Sequence, residues 1–237
     1  MQVLTNIFKT TLDSIAGATG SYGLAIIVMA FLIILITYPL NAKQMSFSYK
    51  MKLINPKMEA IKKQYKDPTK QNEEIMKLWQ EHKINPASGC LPILIQFPVF
   101  IAMFGVLRLP GAFDASPTFL GLNLTLPNAD HSFWSLVGQN FGYLILPILS
   151  VVTTVMQQRQ ISSGQQDSTT RTMNTFLPVM TGYLTITYPT ALGIYWVARN
   201  VFTIGQYHFF NQQMARRSML EEETNADTNP GKARQDS

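Results

Sequence analysis

Charge in this chain is segregated along the sequence. Residues 22–40 carry no charged side chain, while residues 41–86 hold ten lysines, from Lys43 to Lys83, and five acids. An uncharged run of about twenty mainly apolar residues is long enough to cross the hydrocarbon core of a bilayer. Four further stretches are similarly apolar: 90–109, 141–158, 173–188 and 190–209. Charged residues make up 14% of the 237 residues, well below the roughly one quarter of a soluble domain. In lipid every backbone polar group must pair within the protein, which leaves helices for runs of this length. The pattern therefore predicts an all-α, polytopic membrane protein with five transmembrane helices.

The segments between the spans fix the rest of the organisation. Residues 1–18 place Leu4, Phe8, Leu12 and Ile15 on one helical face and Asn6, Lys9, Thr10 and Asp13 elsewhere, which predicts an amphipathic helix lying in the membrane interface. In 41–86, Met51, Ile54, Met58, Ile61 and Tyr65 recur three or four apart, Asp67-Pro68 breaks the run, and Ile75, Leu78 and Trp79 form a second apolar side. This reads as a helical hairpin outside the membrane. Residues 110–139 form a polar loop with two acids and no lysine or arginine, 159–172 a short loop, and 211–237 a tail that is partly disordered after Arg217. The fourth span is short for an ordinary bilayer and implies local thinning or shielding. Basic residues gather in 41–86, 159–171 and 211–217 and are missing from 110–139 and 188–190. The positive-inside rule then places the N-terminus outside and the hairpin and C-terminus in the cytoplasm. The hairpin lysines, Lys57, Lys62 and Lys63 among them, suit either topology control or a ribosome contact.

One side of the spans is polar. Thr37, Gln96, Ser150, Thr153, Thr154, Thr181, Thr185, Arg199, Asn200, Thr203 and Gln206 all fall within apolar stretches. Helix packing through hydroxyls accounts for the serines and threonines. Arg199 needs more, because a mid-span arginine costs about 2.5–3.5 kcal/mol on insertion scales, and no span contains an acid to pair with it. Tyr195, Trp196, Arg199, Thr203 and Gln206 share one helical face, which predicts a water-filled cavity inside the bundle. Ile194, Val197, Val201 and Ile204 fall on other sides and are free to meet lipid. An arginine snorkelling to an interface is the competing reading.

Enzymatic signatures are missing. The sequence has no H-E-x-x-H or G-x-S-x-G run, and its three histidines lack metal-ligand spacing. A single cysteine, Cys90, permits no intrachain disulfide. Ala87-Ser88-Gly89-Cys90 looks like a lipoprotein cleavage box but follows a full span, which excludes that role. No internal repeat supports an inverted-repeat transporter.

Several runs resemble the YidC insertase family. Tyr38-Pro39-Leu40, Lys43-Gln44 and Pro56-Lys57 resemble the end of its first span and its hairpin. Asn85-Pro86, Gly89-Cys90-x-Pro92 and Ile95-Gln96-x-Pro98-x-Phe100 are similar to its most specific run, and Phe176-x-Pro178, Tyr188-Pro189, Leu192 and Asn200 with Thr203-Ile204 to its last two spans. The resemblance covers roughly residues 20–215 and looks like the short form without a large extracytoplasmic domain. It implies five helices around a hydrophilic groove, open to cytoplasm and lipid and closed outside. It also implies an insertase and chaperone, not an enzyme, that moves transmembrane segments into the bilayer with no cofactor. The implied partners are nascent membrane proteins, the ribosome, the Sec translocon and the lipid itself. Phe97, Phe100 and Trp196 carry over as substrate contacts. One position departs: the family's first-span basic residue, five before the proline of Tyr-Pro-Leu, is Ile34 here. Arg199 is then the candidate groove charge, from another helix. A small-solute channel or transporter, and an assembly factor with no insertion activity, remain the rivals.

Overall fold

The computed structural model describes residues 2–85, 91–107, 109, 113, 118–127, 131–161 and 168–228, with the side chains of 91–96, 107, 168–171 and 217–228 outside that description. Nine helices and one small ribbon make up the described residues: α1 (Gln2–Thr19), α2 (Tyr22–Ile36), α3 (Tyr38–Gln64), α4 (Pro68–Glu81), α5 (Leu91–Leu107), β1 (Thr118–Phe119), β2 (Leu122–Asn123), α6 (Phe133–Gln139), α7 (Gly142–Ile161), α8 (Ser168–Thr187) and α9 (Thr190–Thr228). The fold is mostly helical, as the segregated apolar runs require.

The first apolar run ends sooner than Leu40. α2 stops at Ile36, and α3 leaves it at an angle of 68°. Pro39 sits in the first turn of α3, where its missing N–H is tolerated, whereas in a continuous helix it would break the hydrogen-bond ladder. Thr37 at the break caps locally by donating its hydroxyl to the Ile33 carbonyl at 2.8 Å. Fifteen residues of α2 give a rod of about 22 Å, shorter than the hydrocarbon core. Among the described residues no single helix is long and apolar enough to cross a membrane, and only α2 with α3 meets that length and composition as a bent pair.

The hairpin stripe packs as its spacing predicts. Met51, Ile54 and Met58 of α3 are buried against Ile75 and Leu78 of α4 and against Ile84, with Ile61 and Trp79 at the edge of the cluster. Asp67 caps α4 by accepting from the Thr69 N–H at 3.0 Å, and Pro68 occupies its first turn.

α1 is amphipathic on the face chosen, and that face packs on protein: Leu12 and Ala16 are buried, and Phe8 and Ile15 pack with them on the core formed with α2 and α5. Apolar area is removed from water equally well by protein as by lipid, so the moment alone does not identify what covers it. Residues 110–139 are more than a polar loop. They contain the β1–β2 ribbon, turned through Leu120 and Gly121 at φ 51° and 77°, and α6, with Leu122, Phe133, Leu136 and Tyr143 forming a small core of their own. The carbonyls of Leu124 and Leu126 accept from the N–H groups of Ala191 and Thr190, satisfying donors that the start of α9 would otherwise leave open. At the other end, α9 runs on through Arg217 to Thr228, because no glycine or proline interrupts residues 206–228.

Candidate functional site

α9 organises the polar groups, and they divide into two sets. The first is a sealed seam between α7, α8 and α9. Asn200 is 1% exposed and donates through Nδ2 to Thr153 Oγ1 at 3.1 Å and Thr154 Oγ1 at 3.0 Å. Thr181 of α8 lies 3.4 Å from the same Thr154 oxygen, and the Trp196 indole Nε1 donates to it at 3.3 Å. Ser150 and Thr185 are buried along the same helices; Thr185 donates back to carbonyls of its own helix, while Ser150 Oγ has no hydrogen-bond partner among the described residues. Hydroxyl-mediated packing is therefore what Thr153, Thr154 and Thr181 do with Asn200. Asn200, expected in the groove, has its amide donors committed inside the seam.

The second set turns toward α2, α3 and α5. Trp196 is half-buried, its ring fixed from behind by the Thr154 bond and met in front by Phe100 of α5, centroids 6.4 Å apart at 84°. Phe104 continues the α5 row and meets Tyr188 edge-on at 5.0 Å. Phe97, one turn before Phe100, is 61% exposed. Arg199 is half-buried, and among the described residues its guanidinium has neither a carboxylate partner nor a hydrogen bond. Thr203 is buried and donates its hydroxyl to the Arg199 carbonyl at 2.8 Å, so it stabilises the helix rather than the guanidinium.

Further along this face, α9 stitches the α2–α3 break. Asn41 Nδ2 donates to Thr37 Oγ1 and to Gln206 Oε1, both at 3.3 Å, and Gln206 Nε2 reaches the Ile34 carbonyl at 3.5 Å. Thr37 thus belongs to this cluster and not to the Trp196 group; ten residues of helix, about 15 Å, separate Trp196 from Gln206. Asn41 and Tyr188 are the contributors that sequence reasoning missed. Asn41 stands four residues after Thr37, a helical neighbour spacing that could have flagged it. The Gln96 side chain lies outside the described residues, as do Pro86, Gly89 and Cys90 of the 85–92 run. Of the α9 residues assigned to lipid, Val201 is exposed, but Ile194 is buried in the core, because Phe119 and Leu122 of the ribbon, Leu146 and Ile27 close around it.

The hairpin lysines are far from these groups in sequence and face water: Lys57 and Lys63 are exposed, Lys62 is half-buried, and Lys57 Nζ lies 3.4 Å from His82 Nε2. Among the described residues no cluster of histidine, cysteine or carboxylates has metal-binding geometry.

Comparison with known proteins gives one consistent result. The family model described as 60Kd inner membrane protein matches residues 14–217. The chain is 37% identical over 203 residues to the membrane protein insertase YidC of Caldanaerobacter subterraneus subsp. tengcongensis, covering 85% of this chain and 91% of that one. It is 35% identical over 213 residues to the membrane protein insertase MisCA of Bacillus subtilis, covering 86% and 73%. YidC of Geobacter sulfurreducens is 33% identical over 199 residues, which are 83% of this chain and only 35% of that longer protein. The crystal structure of an active YidC insertase with its first transmembrane domain resolved superimposes with a TM-score of 0.66 at 28% identity, over 86% of this chain and 45% of that one. With a family model matched over residues 14–217 and relatives above 30% identity along most of its length, this chain belongs to the YidC family of 60Kd inner membrane proteins.

Proposed function

We propose that this chain is a membrane protein insertase and chaperone of the plasma membrane. In this reading α2, α5, α7, α8 and the first half of α9 cross the bilayer, with the N-terminus outside and the hairpin α3–α4 and the C-terminus in the cytoplasm. The face of α9 that carries Trp196 and Arg199, together with α2 and α5, lines a hydrophilic groove open to the cytoplasm. The observation that carries the reading, within a family of insertases, is Arg199: a half-buried guanidinium with no carboxylate or hydrogen-bond partner among the described residues, beside Asn200 and Thr203, whose side chains are paired.

The physical task is to carry a short polar tail across hydrocarbon, and the barrier is desolvation of charge and backbone. A wet groove reaching partway into the bundle shortens the dry path, and the short apolar part of α8 thins the bilayer beside it. Arg199 lowers the cost of bringing an acidic tail to the groove's end. Phe97, Phe100 and Trp196 bury the apolar flank of the substrate at roughly 25 cal/mol per Å². The substrate then leaves sideways, driven by its own apolar surface. No bond changes, so the work needs neither catalytic residues nor a cofactor. The basic hairpin supplies the contact to an acidic partner, ribosomal RNA or a Sec-associated receptor, and insertion proceeds with or without the Sec translocon.

Reconstitution tests this directly. Purified chain in proteoliposomes, with no Sec components, is expected to protect the translocated tail of a single-span substrate from added protease. Protection no better than in empty liposomes, with the chain folded and correctly oriented, overturns the proposal.

A further inference from the structure

α5 is held in the bundle differently from its neighbours. α7 packs extensively on both α8 and α9 and is joined to α9 by the Asn200 seam, and α2 packs along α9. Among the described residues α5 packs chiefly on α1, with smaller contacts to α3 and α9 and none of similar extent to α7 or α8. Its contact with α1 and its ring contacts with Trp196 and Tyr188 have opposite character.

The α1–α5 contact is close and apolar. Gly105 makes it possible: a Cβ at that position would lie 2.6 Å from Thr5 Oγ1 and 3.0 Å from its methyl, so a side chain there displaces Thr5 or the helix that carries it. Met103 and Val106 of α5 and Leu12 and Ala16 of α1 are buried in one cluster with Met29 and Ala30 of α2. The contact with Trp196 of α9 and with Tyr188 in the α8–α9 link is instead a row of edge-on rings, Phe100 on Trp196 and Phe104 on Tyr188. Such pairs contribute about 0.5–1.5 kcal/mol each beyond area burial. An apolar substrate segment can replace them ring for face, whereas nothing in a substrate replaces the Gly105 approach. Phe97 and Ile101 leave the remaining side of α5 exposed.

We infer that α1 is the fixed mount of α5, with Thr5 and Gly105 as positioning residues: this contact stays closed while the aromatic row opens to admit a substrate segment. The inference rests on the insertase reading. It gives the N-terminal helix a role in positioning the substrate-facing aromatics through α5, distinct from attachment to lipid.

Two cross-links separate the mount from the moving edge. Both are made in the full-length chain with Cys90→Ser, in proteoliposomes, and read by protection of a substrate tail. A Cβ built at Gly105 lies 3.4 Å from Thr5 Cβ, at the short end of the roughly 3.5–4.5 Å that a disulfide spans, so Thr5→Cys with Gly105→Cys is closed by oxidation. Phe104→Cys with Tyr188→Cys is closed with a short bis-methanethiosulfonate reagent. The closed mount is expected to insert within about twofold of its reduced form, and the closed aromatic row to lose at least tenfold and recover on reduction. Equal loss from both links, or no loss from the second, overturns the inference. If the reduced pairs are themselves inactive, Gly105→Leu decides: it is expected to cut insertion at least fivefold, and Thr5→Gly in the same chain to restore it, with lack of rescue counting against the mount. Failure of the unmodified chain to insert sinks the insertase reading itself, which separates the two claims.

Discussion

Replacing Arg199 with leucine isolates the groove charge. The guanidinium has no partner among the described residues, so its removal orphans nothing, and the neutral variant is expected to fold with equal or higher thermal stability in detergent. The cost appears in the substrate. A unit charge about 10 Å away contributes roughly 1.7 kcal/mol at an effective dielectric constant of 20, which is about 20-fold in a rate or an equilibrium constant. The expected result is therefore a loss of about 10- to 30-fold in insertion of a substrate with one acidic residue in its translocated tail, and little change for a neutral tail. The depth of the charge can be tested in the same experiment. The Ile34 carbonyl meets Gln206, seven residues or about 10 Å along α9 from Arg199. An arginine at Ile34 would thus act from a level about two turns nearer the cytoplasm in the proposed orientation. Ile34→Arg combined with Arg199→Leu is expected to restore part of the acidic-tail activity; Ile34 is 3% exposed, so its replacement must displace neighbours and full recovery is not expected. The assay is protease protection of paired acidic and neutral tails in proteoliposomes. Equal insertion of acidic tails by the wild type and Arg199→Leu refutes an electrostatic role for this residue.

Asn200→Leu is expected to destabilise the chain by about 1–3 kcal/mol, two interhelical hydrogen bonds at roughly 0.6–1.7 kcal/mol each, read as a lower thermal midpoint in detergent while the acidic-to-neutral substrate ratio stays fixed; a changed ratio at unchanged stability would place Asn200 in the groove instead of the seam. Replacing Lys57, Lys62 and Lys63 together with glutamine is expected to weaken ribosome co-sedimentation, most at low salt where exposed charges are least screened. Binding that is unchanged at every salt concentration leaves the lysines to topology alone.

Helix positions were legible in the sequence wherever one physical cause dominated. The hairpin stripe from Met51 to Ile61 predicted its own packing because the other side of this helix pair is polar and exposed, and period then equals burial. The same rule found the apolar face of α1 but not its protein cover, and it misjudged Ile194, whose burial depends on a ribbon more than seventy residues earlier in the chain. Tertiary partners of that kind leave no local mark. The end of α2 was read four residues late because Pro39 is tolerated in the first turn of a new helix, so the break falls at Thr37, before the proline rather than after it.

The polar face of α9 could not be sorted by spacing either, since Asn200, Thr203, Arg199 and Gln206 all recur at helical intervals. What sorts them is satisfaction. A buried polar group without a partner is costly, and Asn200 is paired with Thr153 and Thr154 and Gln206 with Asn41. Arg199, whose guanidinium meets no carboxylate or hydrogen-bond partner among the described residues, is in the proposed reading the place where water or a substrate completes the bonding. Thr153, Thr154 and Asn200 fix α9 against α7 and thereby set the rotation of the helix. Thr154 does both at once, receiving Asn200 on the seam and the Trp196 indole at its edge. The seam therefore sets the angle at which Trp196 meets Phe100. In the proposed reading these seam residues act on substrate at one remove, through the orientation they impose on Trp196 and Arg199.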